Sequence, residues 1–345
     1  MRELGVRPRA EGVPHNMGPR TAHPAALAWA LFFLAPFVGE WLLGNQPASD
    51  LASLLVLAPM YGGGALLVRE IGRRSGRGWP AMLLLAAAYA LIEEGPIDQM
   101  IYNPRYLGLS SFHGMLVIPG TGVSLSLVLA SLALHTVWSI CTPIALIEAF
   151  DPSNRPWLQA RGLVAVAAVF VVGSTLLTWV QADEFHFFAS AWQLGGTWLV
   201  IAALVLLAFT VPTPVTRPGR PPIPLVTEIA AFAVTSTYWA ESLITSYLID
   251  VSPWLDLLTW CVLLAAGFWQ VRSWSRCQGW GRAHRVALAS GALLTYAWVG
   301  FFNAAELDIP LTEAVIGSTA FAASAVALVV RANQRTAADA SPFPV

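Results

Sequence analysis

The chain has no lysine, and all 19 of its basic residues are arginine. A mechanism that runs through a lysine Schiff base is therefore excluded. Charge of either sign is scarce, 11% of 345 residues, where soluble domains carry about 25%. With 56% hydrophobic residues, 15 tryptophans and a mean hydropathy of +0.62, the composition is that of a polytopic membrane protein whose first partner is the lipid bilayer. The net charge of −1 gives no argument for a nucleic-acid partner. Cysteine is also rare. Cys141, Cys261 and Cys277 sit in or beside apolar runs at spacings that match no metal motif, and read as small buried hydrophobes.

Long apolar runs are abundant. Ten follow a polar, arginine-containing stretch at 1–23: about 24–43, 51–68, 79–95, 123–150, 161–180, 194–212, 223–248, 254–271, 286–307 and 311–330. The expected fold is all-α, a single membrane domain over 24–331 of about ten transmembrane helices, with a tail at 332–345. Eighteen of the arginines fall in alternate connections, which leaves only Arg105 on the other side. By the positive-inside rule both termini are cytoplasmic in the plasma membrane, and the acid-rich end faces outward. The first apolar run lacks a small-residue cleavage site, so 1–23 reads as a cytoplasmic tail. Residues 97–122 read as a re-entrant or interfacial loop over the outer mouth, 181–193 as a short interfacial segment, and the Pro-rich 213–222 as the boundary between halves. A parallel internal repeat is suggested by Gly78-Trp79 and Gly279-Trp280, by Glu40 and Glu241, both at a shift of 201, and by Val68-Arg69 and Val271-Arg272 at 203.

The stretch Trp79 to Pro96 organises the chain. Its 16 residues from Trp79 to Glu94 cover roughly 24 Å of helix, short of the roughly 30 Å of hydrocarbon, so Glu93 and Glu94 fall below the interface. Acids in a bilayer must be paired, face water or mark function. Glu40, Asp98, Glu241, Asn303 and Glu306 are the further candidates for a proton- or ion-binding cavity, expected from spans one, three, four and seven. The alternatives are bland. Glu40 can snorkel beside Trp41, Asn303 and Glu306 can lie at the interface, Glu313 can cap its helix, and Glu70 and Glu148 can belong to the cytoplasmic rim. His135 is the histidine deep inside a span, with Ser139 on its face and Pro143 freeing a carbonyl one turn earlier. His113 and His186 fall in outer connections, where a metal site is one use for them. Two abutting carboxylates with an imidazole can share a proton, act as a general base toward water, or bind a cation.

Glu93-Glu94 at the end of an apolar helix, with His135 in the next span, resembles the glutamate intramembrane protease group, the CPBP or type II CAAX prenyl endopeptidase family and its PrsW-type relatives. The first motif of that group is Glu-Glu-x-x-x-Arg/Lys, and later motifs supply histidines. The resemblance implies catalytic roles, with Glu93 or Glu94 activating water and His135 stabilising the oxyanion or placing the water. Asp98 stands where the motif has its basic residue. The whole chain, in YGGGALLVREIGRRSGRGWP and AYALIEEG, also resembles a group of uncharacterised actinobacterial-type polytopic proteins, which implies no activity. Three functions stay open at this point: a proton- or cation-coupled transporter or small-molecule binder, an intramembrane hydrolase, and a non-catalytic scaffold. No stretch of the sequence names a cofactor, metal or substrate.

Overall fold

The computed structural model describes residues 22–106, 115–213, 215–249, 251–307 and 309–340. His113, Asp250 and Asp308 lie outside the described residues. The protein is all-α: α1 (Pro24–Pro36), α2 (Leu54–Arg74), α3 (Trp79–Ile92), α4 (Leu125–Leu134), α5 (Thr142–Glu148), α6 (Ala160–Phe185), α7 (Ala191–Thr210), α8 (Pro224–Tyr247), α9 (Pro253–Trp274), α10 (Arg282–Glu306) and α11 (Leu311–Ala340). A two-residue antiparallel hairpin, β1 (Val117–Ile118) and β2 (Val123–Ser124), precedes α4. Among the described residues nine helical stretches are long and apolar enough to cross a membrane, and α8, at 24 residues, is as long as they are. Prolines in the first turns of α1, α3, α8 and α9 start helices at no hydrogen-bonding cost, because those N–H groups have no partner in any case. Gly78 (φ 61°) and Gly279 (φ 93°) both turn the chain through the left-handed region just before α3 and α10.

Burial separates a centre from a periphery. The spans built on α3 and α10 are 67% and 61% buried, whereas those of α6, α7 and α9 are 11% buried and turn their apolar side chains outward, as lipid-facing helices do. Cys261, read from sequence as buried, is exposed on α9, because that helix presents most of its surface to lipid. The fourth span is the central post. Trp138 and Leu146 pack into one core with Trp41, Leu293 and Tyr296, while Ile140, Ile144 and Ile147 pack into a second with Leu31, Met60, Tyr61, Met82 and Tyr89.

Close packing of α1 on α2 depends on two small backbone features. Pro36 has no N–H for the Phe32 carbonyl, and Gly62 comes so close to that carbonyl that a Cβ would stand 1.9 Å from its oxygen. Gly62→Ala should therefore destabilise by about 1–3 kcal/mol, against the helix-propensity gain of about 1 kcal/mol that the same change gives at an open site. The thermal midpoint of the purified variant in detergent tests this. A raised midpoint would mean the two helices do not touch there.

The arginine-rich ends differ from the sequence reading in one respect. Arg69 and Glu70 are fully buried and Glu148 is 3% exposed, so they form an interior network rather than a rim. The reason is that α2 runs on to Arg74, and the α5–α6 connection folds back over it.

Candidate functional site

Three helices lose α-helical geometry at the positions where the candidate side chains stand. Wide, π-type segments occupy Phe37–Leu42 after Pro36, Glu93–Ile97 around Pro96, and His135–Cys141 just before Pro143. Each proline removes one N–H from the regular ladder, and the chain re-pairs one residue further on. Asp98 N–H donates to the Glu93 carbonyl at 2.8 Å, and Asn45 N–H to the Glu40 carbonyl at 2.8 Å. Single π turns inside helices cost regularity and are concentrated at functional sites.

His135 lies between the two carboxylates. Its Nε2 is 2.8 Å from Glu94 Oε1 and its Nδ1 is 2.8 Å from Glu93 Oε2, while Nδ1 also meets Ser139 Oγ at 3.1 Å. The Glu93 contact has the distance of an ion pair without the geometry of a hydrogen bond, and neither Glu93 oxygen nor Glu94 Oε2 has a hydrogen-bond partner among the described residues. The set is closed. Glu93 is 0%, His135 4% and Glu94 6% exposed.

An imidazole with a carboxylate at each nitrogen has two arrangements of the same proton count. Either the ring is imidazolium between two carboxylates, or one proton has moved to a carboxyl and the ring is neutral. Both leave the trio at −1. A proton can therefore shift from one glutamate to the other without a change in net charge, and the titration belongs to the trio rather than to any one member.

Two tyrosines complete the surroundings. Tyr61, from α2, donates its hydroxyl to Glu40 Oε1, and its ring centre lies 6.1 Å from that of His135. Gly39 allows this approach, since a Cβ there would stand 3.0 Å from Tyr61 Cε1 and 3.1 Å from Ser139 Oγ. The Tyr89 hydroxyl and Ser131 Oγ stand close to Glu93 and Glu94 respectively but outside hydrogen-bond geometry.

The model of a family described as "Uncharacterized membrane protein family" matches residues 30–332. The chain belongs to this family. The matched stretch runs from within α1 to within α11, so it contains every residue of the site. No curated protein and no solved structure matches the chain.

Within this family member, Glu40, Glu93, Glu94 and His135 come together, and the others stand apart to different degrees. Asp98, one turn beyond Glu94, lies near both glutamates and near Gln181, which donates to the Tyr106 hydroxyl at 3.0 Å. The next residue, Gln99, holds a left-handed backbone (φ 58°) and its side chain accepts from Ala189 N–H at 2.6 Å, so the α3 end is fastened to the α6–α7 turn. Asn303 donates to Asn45 Oδ1 at 2.5 Å, and the Asn45 N–H donates to the Glu40 backbone carbonyl, so Asn303 reaches the site through one intermediary. Glu306 is exposed at the end of α10. Glu313, in the first turn of α11, accepts from Ser49 N–H at 2.7 Å and ties the α1–α2 connection to that helix. His186 ends α6 in the left-handed region, away from any of these groups.

Glu241 is the correction. It was expected in the same cavity, but it accepts from Trp260 Nε1 and contacts Asp256 on α9. The physical reason is helix adjacency: α8 packs on α10, and a layer of Trp138, Tyr238, Trp239 and Tyr296, with Trp138 and Tyr296 stacked at 4.8 Å, stands on that side of the fourth span. The fourth wall of the site is α2 instead. Tyr61 and Tyr89 were missed, although each has a signal: Tyr61 is polar-tipped beside Gly62-Gly63-Gly64, and Tyr89 is one helical turn before Glu93.

Proposed function

We propose that the Glu93–His135–Glu94 trio is the proton-exchange site of a proton- or cation-coupled transporter in the plasma membrane, with Glu40 and Tyr61 as a second, adjoining acid–hydroxyl pair. The observation that carries this reading is one imidazole held at 2.8 Å from a carboxylate on each side, in a closed interior. Coupling requires a group that takes up and releases a proton at modest cost, and a trio that redistributes one without changing its charge meets that need. The three interrupted helices add support, since transporters place their ion sites where spanning helices are broken. Arginine distribution orients the trio toward the outer half, with both termini cytoplasmic.

Infrared difference spectra of the protein in lipid nanodiscs, taken between about pH 5 and 8, test this directly. A carboxylic-acid carbonyl band should exchange for carboxylate bands, and Glu93→Gln with Glu94→Gln should remove most of that change. Spectra with no carboxyl change over this range, or an unaltered change in the double variant, would end the proposal.

A second reading, glutamate-type hydrolysis, is favoured by the Glu94 contact to His135 Nε2 together with carboxylate oxygens that have no hydrogen-bond partner among the described residues. One carboxylate would take a proton from water while His135 polarises the scissile carbonyl. Cleavage of a labelled single-span peptide that is lost in both Glu94→Gln and His135→Ala would favour it over transport. A scaffold would tolerate those changes in every assay except stability.

A further inference from the structure

On the arginine-rich end, far from the trio, residues 215–222 of the Pro-rich segment are strapped onto the α9–α10 turn. Arg217 N–H donates to the Arg276 carbonyl at 2.7 Å, and Arg217 and Cys277 form an isolated parallel bridge. At its other end the Pro222 carbonyl meets His284 Nε2 at 3.0 Å, while His284 Nδ1 accepts from Gly281 N–H, which fixes the tautomer with the proton on Nε2. The strap brings Arg217 beside two arginines some 55 residues on, at the end of α9 and just after it. Arg217, Arg272 and Arg276, with Trp269 and Ser273, line a cavity of about 270 Å³.

No carboxylate pairs with any of the three among the described residues. Their mutual repulsion is evident at Arg276, whose guanidinium is held below its usual value chiefly by Arg272, then by burial and by Arg217. Three like charges gathered without a protein counter-ion make a local field that attracts anions. Trp269 is 67% exposed at the rim, and Phe268 (61%) and Val262 (57%) are exposed along the same helix, so the cavity borders the exposed apolar side of α9. Tryptophan at that level marks the headgroup region.

We propose that this cavity binds the phosphate of an anionic phospholipid headgroup, with Arg217, Arg272 and Arg276 around the phosphate and Trp269 against the glycerol backbone. Guanidinium groups suit the task because their planar forks match phosphate oxygens two at a time. The exposed apolar border on α9 favours a membrane headgroup over free phosphate, and the volume admits more than a bare ion.

Native mass spectrometry of the detergent-purified full chain with phosphatidylglycerol or phosphatidylcholine tests this. Wild type should retain phosphatidylglycerol several-fold better, and R217Q/R272Q/R276Q should retain the two lipids equally. R331Q/R335Q removes two exposed arginines from α11 and should behave as wild type. If the triple variant does not purify, R276Q alone should narrow the preference. Equal retention of both lipids by wild type, or an unchanged preference in the variants, overturns the proposal. Thermal protection by inorganic phosphate without protection by phosphatidylglycerol overturns the lipid assignment as well.

Discussion

His135→Ala should lower the stability of the protein by about 3–5 kcal/mol, the range seen when one partner of a buried ionic group is removed. Glu93 and Glu94 are 0% and 6% exposed, and without the imidazole neither carboxylate keeps a cation beside it. A cavity penalty adds to this, since His135 also packs against Tyr61. The charge contribution can be separated from the packing contribution. Replacing both glutamates by glutamine removes the charges that need the imidazole, so adding His135→Ala to Glu93→Gln/Glu94→Gln should cost clearly less than His135→Ala alone. The difference is the coupling energy of the trio. Denaturation of the four proteins in one detergent supplies the cycle. A single-variant loss under about 1 kcal/mol, or equal losses in the two backgrounds, would show that His135 is a packing residue and would remove the basis for proton exchange there.

How far the sequence revealed this site depends on which coordinate is asked for. A shared level along the helices was readable: an apolar helix of known rise sets Glu40, Glu93 and Glu94 at a similar height, while His135, expected lower as a floor, stands level with the two glutamates at 2.8 Å from each. Rarity was readable too, because a carboxylate in an apolar run is costly enough to demand a reason. Helix neighbours were not. Hydropathy assigned Glu241 the same depth as Glu40 but gave no sign that α8 packs on α10, or that α2 would supply Tyr61 instead. The π segments were only half legible. Pro36, Pro96 and Pro143 announce interrupted ladders, yet whether the chain answers by kinking, ending or widening is decided by packing around it. The proposed repeat has the same ambiguity. Gly78 and Gly279 play the same left-handed role before α3 and α10, while the π segments of the first, third and fourth spans have no counterpart in α8, α10 or α11.

Arg69→Ala should be as damaging as the loss of His135, about 3–5 kcal/mol, although it lies at the opposite end of the helices. The side chain is completely buried, and its donors reach Glu70 Oε1 at 2.6 Å, Glu148 Oε1 at 3.1 Å and the Arg155 carbonyl at 2.8 Å. Its guanidinium lies over the Trp157 ring, 3.2 Å from the ring centre. Removing it takes one cation from each of two buried carboxylates and frees the Arg155 carbonyl of the α5–α6 connection, which Glu70 also holds by accepting from Trp157 N–H and Leu158 N–H. Arg73 still pairs with Glu148, and the partly exposed Arg74 is 3.6 Å from Glu70, so the loss falls most heavily on Glu70. Arg69→Lys restores one positive charge but neither the fork nor the stacked plane, and should recover less than half of the loss. The same connection predicts a pH dependence. Burial raises the Asp151 carboxyl, but the Ser153 N–H, the Trp157 indole, the Ser153 hydroxyl and Arg69 together hold it below its usual value. A carboxyl held low in the fold stabilises the fold above its unfolded value, and that contribution disappears as pH falls through the folded one. Wild type should therefore lose stability below about pH 4, the ordinary aspartate range, more steeply than Asp151→Asn. Parallel profiles for the two proteins would show that the loop is held by Glu70 and Arg69 alone.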